Sequence, residues 1–281
     1  MTVRLIATDL DGTLLRDDLS VAPRTRRALD AARAAGIVVV PVTARQPRGT
    51  RMIAEQAGFI DWALCGNGAQ CVHLGTGEVL FEAHVDVAVQ RAVAEALRER
   101  VPGVLFVSVR EAGEVFVAQD GYAAIADFED HKRDPATMGR YDLAAVLAEP
   151  SLKFVVRHPG LAPAALVAEI RALGLDGFAV THSGAPFAEV LAEGVNKAWG
   201  VARLCDRLGI ERSEVLAFGD APNDAELLAW AGHGVAMANA HPEAREAADE
   251  LTVSNQQDGV AVMLERLLGR GPGTTTAPGP A

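Results

Sequence analysis

The feature that most constrains this chain is a short apolar run that ends in two acids. Leu5-Ile6-Ala7 leads through Thr8 into Asp9-Leu10-Asp11-Gly12. A run this short, apolar and closed by a turn signal predicts a strand buried in a parallel sheet. Side chains alternate along a strand, so Asp9 and Asp11 start on one side of the chain, and Gly12 permits a sharp turn after them. In an open α/β sheet, ligands bind beyond the carboxyl ends of the strands. Two carboxylates there repel each other unless something compensates. Mg²⁺, which takes a few oxygen ligands plus water and phosphate, is the usual answer. Taken alone, the stretch also reads as an Asp-rich turn.

The same arrangement recurs. A helix is predicted from Pro23 to Ala35, with Gly36 as its stop. Ile37 to Val42 is largely β-branched and reads as a second buried strand, ending in Thr43-Ala44-Arg45. The hydroxyl and backbone N–H of Thr43 are candidates for a phosphate oxygen; a helix N-cap is the competing role. A helix over 46–57 and a strand over 61–65 lead to Gly66-Asn67-Gly68-Ala69. Asn67 is a turn residue or, at that strand end, a ligand contact. Gln70 to Leu74 and Glu78 to Phe81 predict a β-hairpin.

Near position 83 the pattern changes. Helices and hairpin strands mix from there to about Phe187, which predicts an antiparallel α+β insert. The run from Asp127 to Arg140 is charged and weakly patterned. It reads as a solvated face, with a loop over a substrate as the alternative. His158 and His182 read as surface or core histidines.

The first pattern then resumes. Lys197 falls in the first turn of a helix that runs to about Leu208. A cation there opposes the helix dipole, so an anion in front of it explains its place better than helix stability does. Val215 to Phe218 predicts a further strand, followed by Gly219-Asp220-Ala221-Pro222-Asn223-Asp224. Asn223 and Asp224 can share one side of the turn with Asp220. Strands over 235–238 and 249–253 and a helix over 259–268 close the pattern.

These readings give an α/β chain whose core is a doubly wound, Rossmann-like parallel sheet built from 1–82 and 188–268. An α+β domain over 83–187 is inserted in it, and a Gly/Pro/Thr-rich tail over 269–281 is expected to be disordered. The net charge of −11 argues against general binding to nucleic acid or anionic membranes. Cys65, Cys71 and Cys205 form no Cys-x-x-Cys pair, which fits a reduced, cytosolic compartment better than a disulfide framework. No secretory segment is read at the start, and no apolar run is long enough to cross a bilayer.

Asp9, Asp11, Thr43, Lys197 and Asp220 each sit just past a strand or at a helix start, so a doubly wound sheet would gather them along one edge. Acids for a metal, a cation, a hydroxyl and backbone donors are equipment for phosphoryl transfer. Asp9-Leu10-Asp11-Gly12-Thr13, Thr43-x-Arg45, Lys197 and Gly219-Asp220-x-x-Asn223-Asp224 resemble, in order, the four motifs of the haloacid dehalogenase superfamily. The large insert, Gly66-Asn67-Gly68-Ala69 and Asp258-Gly259-Val260 resemble its Cof-type branch, in which the insert is a cap. Two positions depart from the pattern: Ala44 stands where a Gly is usual, and Asn196-Lys197-Ala198 where Ser-Lys-Gly is usual.

The resemblance implies an Mg²⁺-dependent hydrolase of small phosphomonoesters. Asp9 is the implied nucleophile, forming an aspartyl-phosphate, and Asp11 the acid and base. The implied metal set is Asp9, Asp11 through its carbonyl, Asp220 and Asp224. Thr43, Lys197 and Asn223 are implied phosphate contacts, with Arg45 and Asn67 as further candidates. The implied partner is a small phosphorylated metabolite. A phosphoryl transferase or sugar phosphomutase using the same intermediate is the nearest alternative. A phospho-accepting receiver module is the non-enzymatic one, although there the acceptor Asp follows the third strand. The oligomeric state has no sequence signal.

Overall fold

The computed structural model describes residues 2–269; the expected tail lies, from 270 on, outside them. The chain opens with β1 (Leu5–Thr8), α1 (Pro23–Ala34), β2 (Val38–Pro41), α2 (Pro47–Ala57), β3 (Trp62–Cys65), β4 (Gln70–His73) and β5 (Val79–Glu82). It continues through α3 (Val87–Arg100), β6 (Leu105–Arg110), β7 (Val115–Ala118), the short α4 (Phe128–His131) and α5 (Leu143–Val146), β8 (Lys153–Arg157), α6 (Pro163–Arg171), β9 (Phe178–Thr181) and β10 (Ala188–Ala192). It closes with α7 (Lys197–Leu208), β11 (Val215–Gly219), α8 (Ala225–Trp230), β12 (His233–Ala236), α9 (Pro242–Ala247), β13 (Glu250–Leu251) and α10 (Gly259–Leu267).

The main sheet is parallel, in the order β13-β12-β11-β1-β2. Every residue of β1 is buried, as a strand covered on both faces requires. Two helix groups supply that cover: α1 packs on α2 and α10, and α8 packs on α7 and α9. Leu5, Ile6, Leu29, Val40, Phe218 and Leu264 meet in the shared core. A single parallel bridge, Val42 to Leu64, continues the sheet into the antiparallel strands β3, β4 and β5. β1 lies between β11 and β2, so the strand order reverses there. Asp9 leaves the sheet at the end of β1 and Asp220 at the end of β11, and both therefore open onto the switch point where such sheets bind ligands.

The second sheet is antiparallel, in the order β7-β6-β8-β10-β9. Alternation along its strands divides its side chains between two faces. Phe106, Phe154, Val156 and Val190 pack with Val93, Leu97, Leu166 and Ile170 of α3 and α6. Val107, Val109, Val155 and Phe187 face the other way, with Phe116, Tyr122 and Met138. One boundary differs from the sequence reading. Residues 188–192, expected in the core, form β10, which pairs with β8 and β9 of the second sheet. The sequence reads Phe178 to His182 and Phe187 to Leu191 as a hairpin, and β9 and β10 do pair so; the boundary at 188 cut that hairpin, and the return to the main sheet lies beyond Ala192. No described helix is long and apolar enough to cross a membrane.

Candidate active site

Three carboxylates meet beyond β1 and β11. Oxygens of Asp9, Asp220 and Asp224 lie within 4.8 Å of one another. The local fold explains how they come so close. Gly12, at φ +79°, turns the chain away under Asp220, and a side chain at 12 would collide with that carboxylate. Gly219 leaves room for Asp224 in the same way.

Lys197 is the first residue of α7 and is fully buried. Its ammonium donates to Asp9 Oδ1 at 2.7 Å and to Asp224 Oδ1 at 2.5 Å. Burial works against that charge, but Asp224 and Asp9 outweigh it and hold the Lys197 pKa above its ordinary value. Asn196 caps the helix, accepting from the Trp199 N–H at 2.8 Å, so Asn in place of Ser preserves the cap. The second oxygen of Asp224 accepts from the backbone N–H groups of Asp220 and Ala221, both at 3.0 Å. Asp224 is thus fully engaged. Asp220 Oδ1 accepts from the Thr13 hydroxyl at 2.6 Å. Asp9 Oδ2 and Asp220 Oδ2 take no hydrogen bond from any described residue.

One lysine does not balance this much negative charge. Burial raises the Asp9 pKa well above its ordinary value, and Asp224, Asp220 and Asp11 add to the rise against the pull of Lys197. Burial, followed by the charge of Asp224, pushes Asp220 up to about 7. A small, hard cation between Asp9 and Asp220 would relieve both, and the two free oxygens suit it.

Asp11 stands apart from this group. Both its oxygens accept from the Arg45 guanidinium, Oδ2 from Nε at 2.7 Å and Oδ1 from Nη2 at 2.5 Å. Thr43 is buried, and one expectation for it fails: its backbone N–H donates to the Leu64 carbonyl at 2.8 Å. The bridge between Val42 and Leu64 carries strand pairing past the end of β2, so only the hydroxyl remains for a ligand. That hydroxyl accepts from the Arg45 N–H at 3.1 Å and keeps its own proton to donate. Asn67 is buried at φ +59°, an uncommon conformation for a residue with a side chain. Its Oδ1 accepts from Asn223 Nδ2 at 2.8 Å, while Asn67 Nδ2 and Asn223 Oδ1 are buried without partners. The three cysteines are buried and free; burial pushes the Cys65 and Cys71 thiols up to about 12, so neither is a competing nucleophile.

Asp9, Asp11, Thr43, Arg45 and Asn223 line the floor of a cavity of about 170 Å³. Val109, Phe116, His131, Lys153, Phe187 and Glu189 of the second sheet and its loops line the opposite wall. A match to the haloacid dehalogenase-like hydrolase family runs from residue 6 to 264. The chain belongs to the haloacid dehalogenase-like hydrolases. It is 30% identical over 275 residues to a Bacillus subtilis (strain 168) protein named "Putative phosphatase YxeH", covering 94% of this chain and 98% of that one. It is 28% identical over 275 residues to the 5-amino-6-(5-phospho-D-ribitylamino)uracil phosphatase YitU of the same organism, covering 93% and 96%. A crystal structure of a haloacid dehalogenase-like hydrolase from Bacteroides thetaiotaomicron superposes with a TM-score of 0.74 at 26% identity, covering 95% of this chain and all of the other. These relatives make the chain a phosphatase of the family.

Within this haloacid dehalogenase-like site, sequence reasoning missed the roles of several residues. Thr13 holds Asp220, and only its place after Asp11-Gly12 hinted at that. The charged run taken for a solvated face supplies Glu129, Asp130, His131 and Lys132 to the cavity wall. His131 stacks on Phe187, with ring centroids 4.5 Å apart, and bonds the Tyr122 hydroxyl at 2.7 Å. Burial, with Lys153, Arg157 and Arg133 nearby, holds its pKa well below the ordinary value, so it is neutral at pH 7. Lys153 and Glu189 carried no sequence signal.

Proposed function

We propose that this phosphatase hydrolyses a small phosphomonoester through an aspartyl-phosphate on Asp9, with a divalent cation, most simply Mg²⁺, at Asp9 and Asp220. One observation carries the reading. Asp9 stands on the cavity floor with one oxygen bonded to the Lys197 ammonium and the other free of hydrogen bonds. A carboxylate held this way is oriented as a nucleophile.

In the first step a carboxylate oxygen of Asp9 attacks phosphorus, and the bond from phosphorus to the leaving oxygen breaks. Asp11 delivers the proton that the leaving oxygen needs. Both its oxygens are bonded to Arg45, so this role requires one of those bonds to be exchanged for the substrate. In the second step Asp11 takes a proton from water, the water oxygen attacks phosphorus, and the bond to Asp9 breaks. Thr43 donates its hydroxyl to a phosphoryl oxygen. Asn223 lines the same cavity and would contact the phosphoryl group through its N–H₂, which is now bonded to Asn67 and must exchange that bond, while Asn67 itself does not line this cavity. Lys197 offsets charge on Asp9. Asp9 and Asp220 would hold the cation, with Asp224 positioning Lys197 and the Asp220 backbone. When bound, the cation neutralises charge shared by the carboxylate and the phosphoryl group.

The relatives include a phosphatase for a phosphorylated ribitylaminouracil and one, from Cronobacter sakazakii, for HMP-PP. Both names fit a small phosphorylated metabolite as the substrate class here. The test is a panel of phosphomonoesters assayed with Mg²⁺ and with EDTA, using Asp9→Asn as the blank. Phosphate release that requires the metal and disappears in the variant is the expected result. Turnover by purified Asp9→Asn would remove Asp9 as nucleophile. Isomer formation in place of free phosphate would make the enzyme a mutase.

A further inference from the structure

The wall opposite Asp9 is charged, yet it has no cation to spare. Arg45, Lys132 and Lys153 are the Lys and Arg residues that line the cavity. Arg45 is forked onto Asp11, Lys132 reaches Glu129 at 2.5 Å, and Lys153 reaches Glu189 at 2.6 Å. Arg157, just behind, is bonded to Asp130 at 2.5 Å. The acids of that wall are Glu129, Asp130 and Glu189. Arg133, behind Phe116, does not line the cavity and is bonded to the Gly113 and Glu114 carbonyls. A second anionic group on a substrate would thus meet no unpaired positive charge among the lining residues, and an unpaired charge in a closed site is costly.

Of these pairs, Lys153 with Glu189 is the one in which both members are buried. Glu189 lies opposite Val155 in the pairing of β10 with β8, and Lys153 is two residues from Val155 on the same face. The Lys153 ammonium also donates to the Ala44 carbonyl at 2.9 Å, which sets the pair against the loop that carries Thr43 and Arg45. Glu189 is fully buried, and its Oε2 has no hydrogen-bond partner. A buried carboxylate oxygen is seldom left unpaired, because it loses water without replacement. An ammonium has three N–H donors, and Lys153 uses two of them. The pair therefore offers one acceptor and one donor at zero net charge. A hydroxyl group satisfies both at once.

We propose that Lys153 and Glu189 form the specificity-determining subsite for the leaving group, taking an uncharged, hydroxyl-bearing group and excluding one that carries a second anion. This rests on the phosphatase reading and narrows it to monophosphates of neutral, hydroxylated molecules.

The test measures kcat/KM for ribose 5-phosphate, glucose 6-phosphate, fructose 1,6-bisphosphate, 3-phosphoglycerate and 4-nitrophenyl phosphate. The better of the two neutral sugar monophosphates is expected to exceed both doubly anionic compounds at least tenfold. Glu189→Gln keeps the shape but removes the charge. It is expected to lower the ratio of sugar phosphate to 4-nitrophenyl phosphate at least tenfold and to raise 3-phosphoglycerate relative to both. The proposal is overturned if the wild-type enzyme prefers fructose 1,6-bisphosphate or 3-phosphoglycerate. It is also overturned if Glu189→Gln changes sugar phosphates and 4-nitrophenyl phosphate by one common factor, the mark of a structural role. Should Glu189→Gln not fold, the wild-type ranking decides alone. Turnover of none of the five compounds, 4-nitrophenyl phosphate included, would instead bring down the phosphatase reading and this inference with it.

Discussion

The floor and the roof of the cavity are built on opposite plans. On the floor, each polar group hangs from a strand end or a helix start of a sheet buried on both faces. Asp9, Asp11, Thr43, Lys197 and Asp220 are all placed by backbone geometry that a parallel sheet fixes in advance. On the roof, Lys153, Phe187 and Glu189 come from the open face of an antiparallel sheet, and His131 from a short helix beside it. One face of that sheet is committed to α3 and α6, which leaves the other to vary. A rigid floor suits chemistry that is common to every phosphomonoester. A roof of exchangeable side chains suits the part of the substrate that differs.

The comparison breaks most easily at Asp9. Asp9→Asn should lower kcat by roughly 10⁴-fold or more for every substrate, since no neighbouring group replaces a nucleophile. Equal loss across a substrate panel is the check. Asp11→Asn should cost about 10²–10⁴-fold with sugar phosphates and much less with 4-nitrophenyl phosphate, whose leaving oxygen needs no proton. If the two leaving groups suffer alike, Asp11 is not the acid.

Thr13→Val tests how the floor is held. It removes the hydrogen bond to Asp220 and should raise the Mg²⁺ concentration for half-maximal activity about 10- to 100-fold, with kcat at saturating metal largely retained. On the roof, Phe187→Leu should alter the ratio of kcat/KM between two substrates by about tenfold, the scale of a reshaped apolar pocket. A common loss of kcat would instead tie the roof to the chemistry.

The smallest effect is on stability. Folding raises the Asp220 pKa from the ordinary carboxylate range to about 7, and that of Asp9 moves the same way. The native state is then the better proton binder, so this contribution is present at low pH and is lost as pH rises towards 7. Metal-free protein should lose melting temperature over that window from these groups. Added Mg²⁺ should raise it more at pH 8 than at pH 5, because the metal and the protons compete. A Mg²⁺ effect independent of pH would place the ion elsewhere.

How much was legible follows from the same contrast. The strand of Leu5 to Ala7, the acids after it and the Asp220-Asn223-Asp224 turn are local patterns, readable because their residues lie side by side. The available donors of Thr43 were not readable, because its N–H is taken by Leu64 of another strand. Nor was the pairing of 188–192 with β8, which moves the domain boundary, although its hairpin with 178–182 was, since a tight turn names one neighbour of a strand and not the other. The charged run over 127–140 looked like a solvated face; contacts with Phe187, Tyr122 and Arg157 draw part of it inward.

The amino-acid order by itself determined the alternating plan of the core and which acids, hydroxyl and cation stand at its strand ends and helix starts, because short-range periodicity and turn chemistry act within a few positions. Tertiary structure alone decided that Arg45 holds Asp11, that Asp224 is consumed by Lys197 and two backbone amides, and that Lys153 and Glu189 face the floor. Those facts depend on distances between segments far apart in the chain: the pairing of β1 with β2 and β11 sets the first two, and the packing of one sheet over the other sets the third.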